Sequence, residues 1–148
     1  FLEKLQNITR DVKFDIYGIN KIQPIWADHY FKTIYNCKMG LNLSRGNAIK
    51  YYSSDRITQI VGNGLVCLID EKTQYNNFFN NDEMVFYRNI NDLSEKIKKI
   101  SRDEKLRKKI GHNGKKKYMK YFNSNLVSQY IIEKTLGVKS KNFYLWDK

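Results

Sequence analysis

The sequence predicts an α/β fold, a doubly wound parallel sheet of about four to five strands followed by a helical C-terminal third. Two observations support this prediction. Short apolar runs alternate with stretches of helical spacing, an order typical of strand–helix–strand units. One of these runs, residues 65–69 (LVCLI), is continuously apolar, as expected for a strand buried on both faces of a parallel sheet.

The first elements follow from the spacing of apolar residues. Helical spacing over residues 2–8 predicts a short helix, and strict alternation over residues 12–16 predicts the first strand. Residues 27–38 are predicted to form a second helix and residues 39–44 a second strand. Residues 45–53 have no period and are predicted to form a loop.

The middle of the chain contains the next helix and two strands. Ser53 or Ser54 is expected to cap a helix over residues 55–62, which ends at the sequence Gly-Asn-Gly. The apolar run at 65–69 then predicts a buried strand, and residues 84–87 predict another.

The last third is predicted to be helical. Apolar residues over 93–100 recur at helical spacing. Residues 101–104 (Ser-x-x-Glu) match a capping box, so a new helix is expected to start there. Asn123 or Ser124 is expected to cap a final helix that ends at Gly137.

Composition narrows the class of protein. The chain has 148 residues, of which 41% are hydrophobic and only one is Pro, so one globular domain is expected rather than a linker. No apolar run approaches the roughly 20 residues that a membrane-spanning helix needs. Cys37 and Cys67 lie in apolar stretches and are predicted to be reduced thiols in a cytosolic protein. With His29 and His112 they lack metal-ligand spacing, so no metal site is expected.

The positive charge is concentrated in one segment. Residues 96–120 contain twelve Lys or Arg and two acidic residues, a net charge of +10, whereas the total is +12. This segment could bind nucleic acid, with Tyr118, Tyr121 and Phe122 as stacking aromatics, or anionic lipids. The favoured interpretation is a solvated helix face whose aromatic residues pack inward, and nucleic acid is not expected as a partner.

The loop at residues 45–56 is the best candidate for a ligand site. In doubly wound folds, ligands bind where strands end and helices begin. The N–H groups of a helix N-terminus suit a phosphate, Ser53 and Ser54 add hydroxyl donors, and Arg56 can pair with a diphosphate. The alternative is that Ser54 is only a helix cap and Arg56 only a solvated surface charge.

The same region carries a resemblance to a known family. Residues 54–64 (SDRITQIVGNG) and the following apolar run resemble a stretch of GT-B glycosyltransferases, most closely the spore-maturation-protein-like branch of group 1. There the pattern is Ser-x-Arg-x-x-Glu, a Gly five residues later, and an apolar strand. The flanking segments 35–44, 78–87, 92–97 and 107–114 also resemble the family, so that the similarity covers roughly residues 12–136.

The resemblance implies a Rossmann-like donor domain over residues 1–137, followed by a tail at 138–148. It implies transfer of a sugar, of hexosyl type, from a nucleoside diphosphate to an acceptor hydroxyl, in a cell-envelope glycan or glycolipid. The N-terminal acceptor domain would supply the base, and we expect this chain to be a fragment that is inactive alone. We expect the protein to be cytoplasmic, and to lie at the inner face of the membrane if residues 96–120 bind anionic lipid.

The resemblance also assigns the donor contacts. The Glu that binds the donor ribose in the wider group falls on Gln59, and a second Glu falls on Tyr51, which leaves retention or inversion open. The Gln59 amide can still form hydrogen bonds with a diol, but it lacks the negative charge of a carboxylate. Helix N–H groups and basic side chains would neutralise the diphosphate, so neither metal nor cofactor is expected. The predicted donor-binding residues are Asn42, Ser44, Arg45, Lys50, Ser53, Ser54, Arg56, Gln59 and Gly64.

Overall fold

The computed structural model describes residues 1–44, 46–140 and 142–147. Its three strands form one parallel sheet with β2 in the centre. The strands are β1 (Met39–Asn42), β2 (Val66–Asp70) and β3 (Val85–Tyr87). The helices are α1 (Leu2–Ile8), α2 (Ala27–Asn36), α3 (Asp55–Gly62), α4 (Ile90–Arg102), α5 (Glu104–Tyr121) and α6 (Ser124–Leu136). Two 3₁₀ helices, Glu71–Thr73 and Tyr75–Asn77, lie between β2 and β3.

Helices cover both faces of the sheet, which confirms the predicted doubly wound α/β class. Along β2 the side chains alternate: Cys67 and Ile69 pack with α3, whereas Val66 and Leu68 pack with α1 and α4. These four residues are buried, because successive side chains of a strand point to opposite faces and both faces are covered. The continuous apolar run therefore predicted this strand correctly.

The strand predicted over residues 12–16 is wrong, and the described residues form three strands rather than four to five. The predicted alternation is present, since Val12, Phe14 and Ile16 are half-buried and the residues between them are exposed. Val12 and Phe14 pack against the core on the α4 side. Alternation requires only that every second side chain faces the core, and this extended segment meets that requirement although it pairs with no strand in the described part of the chain.

The cap of α5 also differs from the prediction. Asp103 is the cap residue, and its carboxylate accepts a hydrogen bond from the Leu106 amide at 2.8 Å. Ser101 lies in the last turn of α4, where its hydroxyl donates to the Lys98 carbonyl at 2.8 Å. The capping box at 101–104 is therefore wrong, because that hydroxyl serves the end of one helix rather than the start of the next.

The cap of α6 and its end were predicted correctly. The Asn123 side chain accepts a hydrogen bond from the Leu126 amide at 3.0 Å, and the helix ends at Gly137. The residues that follow fold back on this helix. Tyr144 is buried and its hydroxyl donates to the Glu133 carboxylate at 2.8 Å.

Helix α5 crosses the amino ends of β2 and β3 at two glycines. A Cβ at Gly111 would lie 2.1 Å from the Gly64 carbonyl oxygen, and one at Gly114 would lie 2.3 Å from the Glu83 carbonyl oxygen. Because Gly64 and Glu83 lie just before β2 and β3, α5 packs directly on this edge of the sheet. Any larger residue at either glycine would force the helix away from the strands.

Both cysteines are free thiols, as predicted. Cys67 is buried in β2, and Cys37 is half-buried just after α2. None of the helices in the described ranges is long and apolar enough to cross a membrane.

Candidate functional site

The predicted donor loop connects the carboxyl end of β1 to the N-terminus of α3. Asn42, the last residue of β1, is only 3% exposed and accepts a hydrogen bond from the Ser54 hydroxyl at 3.1 Å. Ser54 occupies the cap position of α3, but its hydroxyl makes this bond instead of capping. No side chain within the described residues caps α3. The N–H groups of Asp55 and Arg56 are therefore open to solvent or a ligand, whereas that of Ile57 bonds to the Ser54 carbonyl at 3.0 Å.

Arg56 lies in the first turn of α3 and is exposed. Its Nη1 donates a hydrogen bond to the Leu43 carbonyl, which fixes the guanidinium beside the exit of β1. A guanidinium has five N–H donors, so several are left for an anion. The Asp55 carboxylate lies next to it in the same turn and partly offsets its charge.

An open cleft of about 500 Å³ lies between the start of α2 and the start of α3. Trp26, directly before α2, is 74% exposed at this cleft. Tyr30 is half-buried there, and burial, with the Asp55 charge, raises its pKa. Its hydroxyl is therefore neutral and can donate a hydrogen bond at physiological pH. The lining residues are Ile25, Trp26, Ala27, Tyr30, Ser54, Asp55 and Arg56.

The sequence did not predict the α2 side of this cleft. Residues 27–38 were predicted only as a helix, and α2 ends two residues earlier, at Asn36. The available sequence signal for this side of the cleft was Trp26, directly before that helix. A Trp does not cap a helix, so its place at the helix start calls for another role. Its position opposite Arg56 depends on how two distant segments pack.

The middle of the loop is anchored away from the cleft by Tyr51. The Tyr51 amide donates to the Thr73 carbonyl at 2.8 Å, and its hydroxyl accepts from the Asn77 side chain at 2.7 Å. Its ring packs against Phe78 with a centroid separation of 4.8 Å. The Lys50 ammonium lies 4.8 Å from the same ring centroid. Lys50 is therefore held beside the connection between β2 and β3.

The remaining loop residues have separate environments. Ser53 is exposed and its hydroxyl lies near Tyr75. Burial raises the pKa of Tyr75, and the nearby Ser53 hydroxyl partly opposes this rise. Ser44 is half-buried two residues after β1. Arg45, another predicted donor-binding residue, lies outside the described residues.

Gln59 and Gly64 lie progressively farther from the cleft. Gln59 is half-buried one turn into α3; its backbone carbonyl accepts a hydrogen bond from the Asn63 side chain, and its own side-chain amide has no hydrogen bond within the described part of the chain. Its side-chain amide is therefore available to a ligand. Gly64 lies beyond the other end of α3, with φ of +75°, at the amino end of β2. The structure thus brings Asn42, Ser54 and Arg56 together but places Gly64 at the opposite edge of the sheet.

The acidic residues near the carboxyl ends of β2 and β3 already accept hydrogen bonds. The Asp70 carboxylate accepts from the Lys72 amide at 2.9 Å. Burial acts to raise the pKa of Asp92, but hydrogen bonds from Lys96 and the Arg88 amide outweigh it, so the pKa lies below its usual range. The Asp92 carboxylate is therefore not free to act as a base. Nowhere in residues 1–44, 46–140 and 142–147 do three His, Cys, Asp or Glu side chains form a cluster that could hold a metal ion.

The model of the family described as glycosyl transferase-like matches residues 1–133, most of the chain. The chain belongs to this family. Membership confirms the predicted group 1 glycosyltransferase domain of the GT-B type. The general chemistry of the domain is glycosyl transfer. Its assignment to the spore-maturation-protein-like branch stays a prediction. No curated protein and no solved structure matches the chain with significant similarity.

Proposed function

We propose that the cleft between α2 and α3 binds the nucleoside diphosphate sugar that supplies the glycosyl group. The observation that supports this most directly is the start of α3, where uncapped N–H groups and the Arg56 guanidinium lie at one open cleft. Both features attract a diphosphate, through the partial positive charge of the helix end and through charge-assisted hydrogen bonds. The bond from Ser54 to Asn42 keeps this end of α3 against β1.

The other wall of the cleft suits the rings of the same donor. Trp26 offers an exposed aromatic face, on which a nucleobase or a sugar ring can stack. Tyr30 adds a neutral hydroxyl donor close to Asp55. Gln59, one turn further along α3, is the candidate for the ribose hydroxyls.

The proposed reaction breaks the bond between the anomeric carbon and the β-phosphate oxygen. The acceptor oxygen bonds to that carbon, and its proton passes to a base. Arg56 and the N–H groups of α3 stabilise the negative charge that develops on the leaving diphosphate, without a metal ion. Asp55 lowers the local positive charge, so this binding is expected to be modest.

The reaction also needs a base and an acceptor. Because the resemblance assigns the base to an N-terminal acceptor domain, we propose that domain of the full-length chain as a partner. The acceptor would be a hydroxyl of a cell-envelope glycan or glycolipid, reached from the cytoplasmic side of the membrane, and the transferred group a hexosyl unit.

Nucleic-acid binding without catalysis is the weaker function. Its stacking surface would need exposed aromatic residues on α5. Tyr118 is instead buried, and Phe122 stacks on Phe79 in the core with centroids 5.4 Å apart. Tyr121 is half-buried and lies beside Phe143. These contacts favour the interpretation of a solvated basic helix with inward aromatic residues.

Titration of the isotope-labelled protein with UDP, GDP, ADP and CMP, followed by NMR, tests the donor site. We expect saturable shifts with one nucleotide, centred on Trp26, Ser54, Arg56 and Gln59. Arg56→Ala should weaken binding about tenfold or more, as expected for loss of a charge-assisted hydrogen bond, and Arg56→Lys should weaken it less.

Arg102→Ala is the matched control, because Arg102 is an exposed arginine that pairs with Asp11 at 2.7 Å. It removes the same charge without touching the cleft, so affinity should not change. Equal losses in the Arg56→Ala and Arg102→Ala variants would contradict the proposal. Shifts confined to residues 96–120 with every nucleotide would also contradict it.

A further inference from the structure

A second cavity lies at the amino edge of the sheet, away from the donor cleft. It has a volume of about 290 Å³ and lies between the last turns of α5 and the turn before β3. Because α5 contacts the Glu83 carbonyl directly at Gly114, the walls of this cavity are fixed by backbone packing. Its lining residues are Glu83, Asn113, Lys116, Lys117, Lys120 and Tyr121.

The cavity has an excess of positive charge. The Lys117 ammonium lies 2.7 Å from the Glu83 carboxylate, and these side chains are only 24% and 15% exposed, so they neutralise each other. Lys116 and Lys120 have no carboxylate partner among the described residues. The rest of α5 supplies no carboxylate either, since residues 105–132 contain no Asp or Glu.

The two unpaired lysines are neighbours on the helix. Lys116 and Lys120 are four residues apart, a spacing at which like charges on a helix repel. Lys120 lies in the last turn, where the helix dipole favours a cation, but this effect weakens within one turn and does not account for Lys116. Asn113 supplies a neutral amide donor on the same wall, and the Lys120 ammonium lies 4.9 Å from the Tyr121 ring centroid.

We propose that this cavity binds a phosphate group through Lys116, Lys120 and Asn113. A phosphate ester carries up to two negative charges and would match the two unpaired cations. The volume suits a phosphate with a small substituent, such as glycerol, better than a whole nucleotide. The phosphate could belong to a soluble ester or to the headgroup of an anionic lipid, and both sources share this chemistry.

The position of the cavity separates this proposal from the donor site. The donor cleft lies where β1 ends, whereas this cavity lies where β3 begins. A ligand here cannot take part in the sugar transfer proposed above. It would instead bind the domain to a phosphate-bearing molecule or surface, and it can be present even if the donor proposal fails.

Glycerol 3-phosphate, titrated into the labelled protein at about 0.15 M salt, is the first probe. We expect saturable NMR shifts at Asn113, Lys116, Lys120 and Tyr121. The double variant Lys116→Gln/Lys120→Gln should weaken binding about tenfold or more. The control Lys105→Gln/Lys109→Gln removes the same charge at the same spacing from α5, outside the cavity, and should keep the affinity of the unmodified protein.

Vesicles then distinguish the two sources. Co-sedimentation with phosphatidylcholine vesicles containing phosphatidic acid, lost only in the Lys116→Gln/Lys120→Gln variant, would support the lipid headgroup. Saturable binding of glycerol 3-phosphate without vesicle binding would support a soluble ester. Equal losses in both double variants would overturn the proposal in favour of general attraction to the basic segment. Binding of a single-stranded RNA oligonucleotide without any response to glycerol 3-phosphate would overturn it too.

Discussion

Tyr51 illustrates how one residue determines the shape of the candidate donor loop. Its φ of +57° is uncommon for a bulky residue and has to be offset by surrounding contacts. The contacts with Thr73, Asn77 and Phe78 provide that compensation. The family resemblance places the second Glu at this position, but the Tyr here holds the loop against the β2–β3 connection. Tyr51 therefore shapes the site from outside the cleft.

The two cysteines are expected to differ in reactivity. Burial raises the pKa of the Cys67 thiol to about 12, and this residue is fully buried. Burial also raises the pKa of Cys37, but that thiol is only half-buried. In native protein at about pH 8, we expect iodoacetamide to modify Cys67 at least about a hundredfold more slowly than Cys37, measured by peptide mass spectrometry.

The same reaction in concentrated urea is the control. Unfolding removes the burial that suppresses the thiolate, so both cysteines should then react at similar rates. Equal rates in the native protein would show that β2 opens far more readily than its buried position implies.

At the scale of single elements, helix α5 depends on features at its start and along its inner face. Asp103 caps it, and Gly111 and Gly114 allow it to contact the carbonyl groups that precede β2 and β3. The predicted inward packing of its aromatic residues is correct for Tyr118, which is buried. The cap required the structure, because two polar residues close together, Ser101 and Asp103, could each have begun the helix.

Substitution of the two candidate caps separates the predicted capping box from the observed one. Asp103→Ala should lower the free energy of unfolding by about 1 kcal/mol, because the Leu106 amide loses its acceptor. Ser101→Ala should change it by less than about 0.5 kcal/mol, since that hydroxyl only supplements the end of α4. Urea unfolding followed by circular dichroism measures both. A larger loss for Ser101→Ala would instead favour the capping box.

At the scale of the whole molecule, the buried ionisable groups of the sheet link stability to alkaline pH. Burial raises the pKa of Cys67 from 9.0 to about 12 and that of Tyr87 from 10.0 to about 12. Both groups are neutral in the fold and ionise more readily when unfolded. Their contribution to stability is thus fully present below about pH 9 and is lost as the pH rises towards 12.

We therefore expect the free energy of unfolding to fall between about pH 8 and about pH 10.5, measured by urea unfolding. The many lysines also titrate near this range, so the comparison with Tyr87→Phe isolates the tyrosine. That variant should lose less stability than the unmodified protein over the same interval. An identical pH dependence in both proteins would contradict the assignment to Tyr87.

The sequence by itself determined most of the local structure. Apolar spacing, together with helix caps and flanking glycines, located the six α-helices and three strands of the described residues, because periodicity reports which side of an element faces the core. It failed at residues 12–16, where every second side chain is half-buried but no described residue forms a partner strand. The position of the candidate site between β1 and α3 was also predictable, since strand ends and helix starts meet there in this fold class.

Only the tertiary structure decided which side chains meet at the site. The Ser54 hydroxyl bonds to Asn42, and Lys50 lies with Tyr51 beside the β2–β3 connection. Packing also placed Trp26 and Tyr30 at the cleft, although their sequence context predicted only a helix. The physical reason is that periodicity describes each element separately, whereas a site is assembled by contacts between segments far apart in the chain.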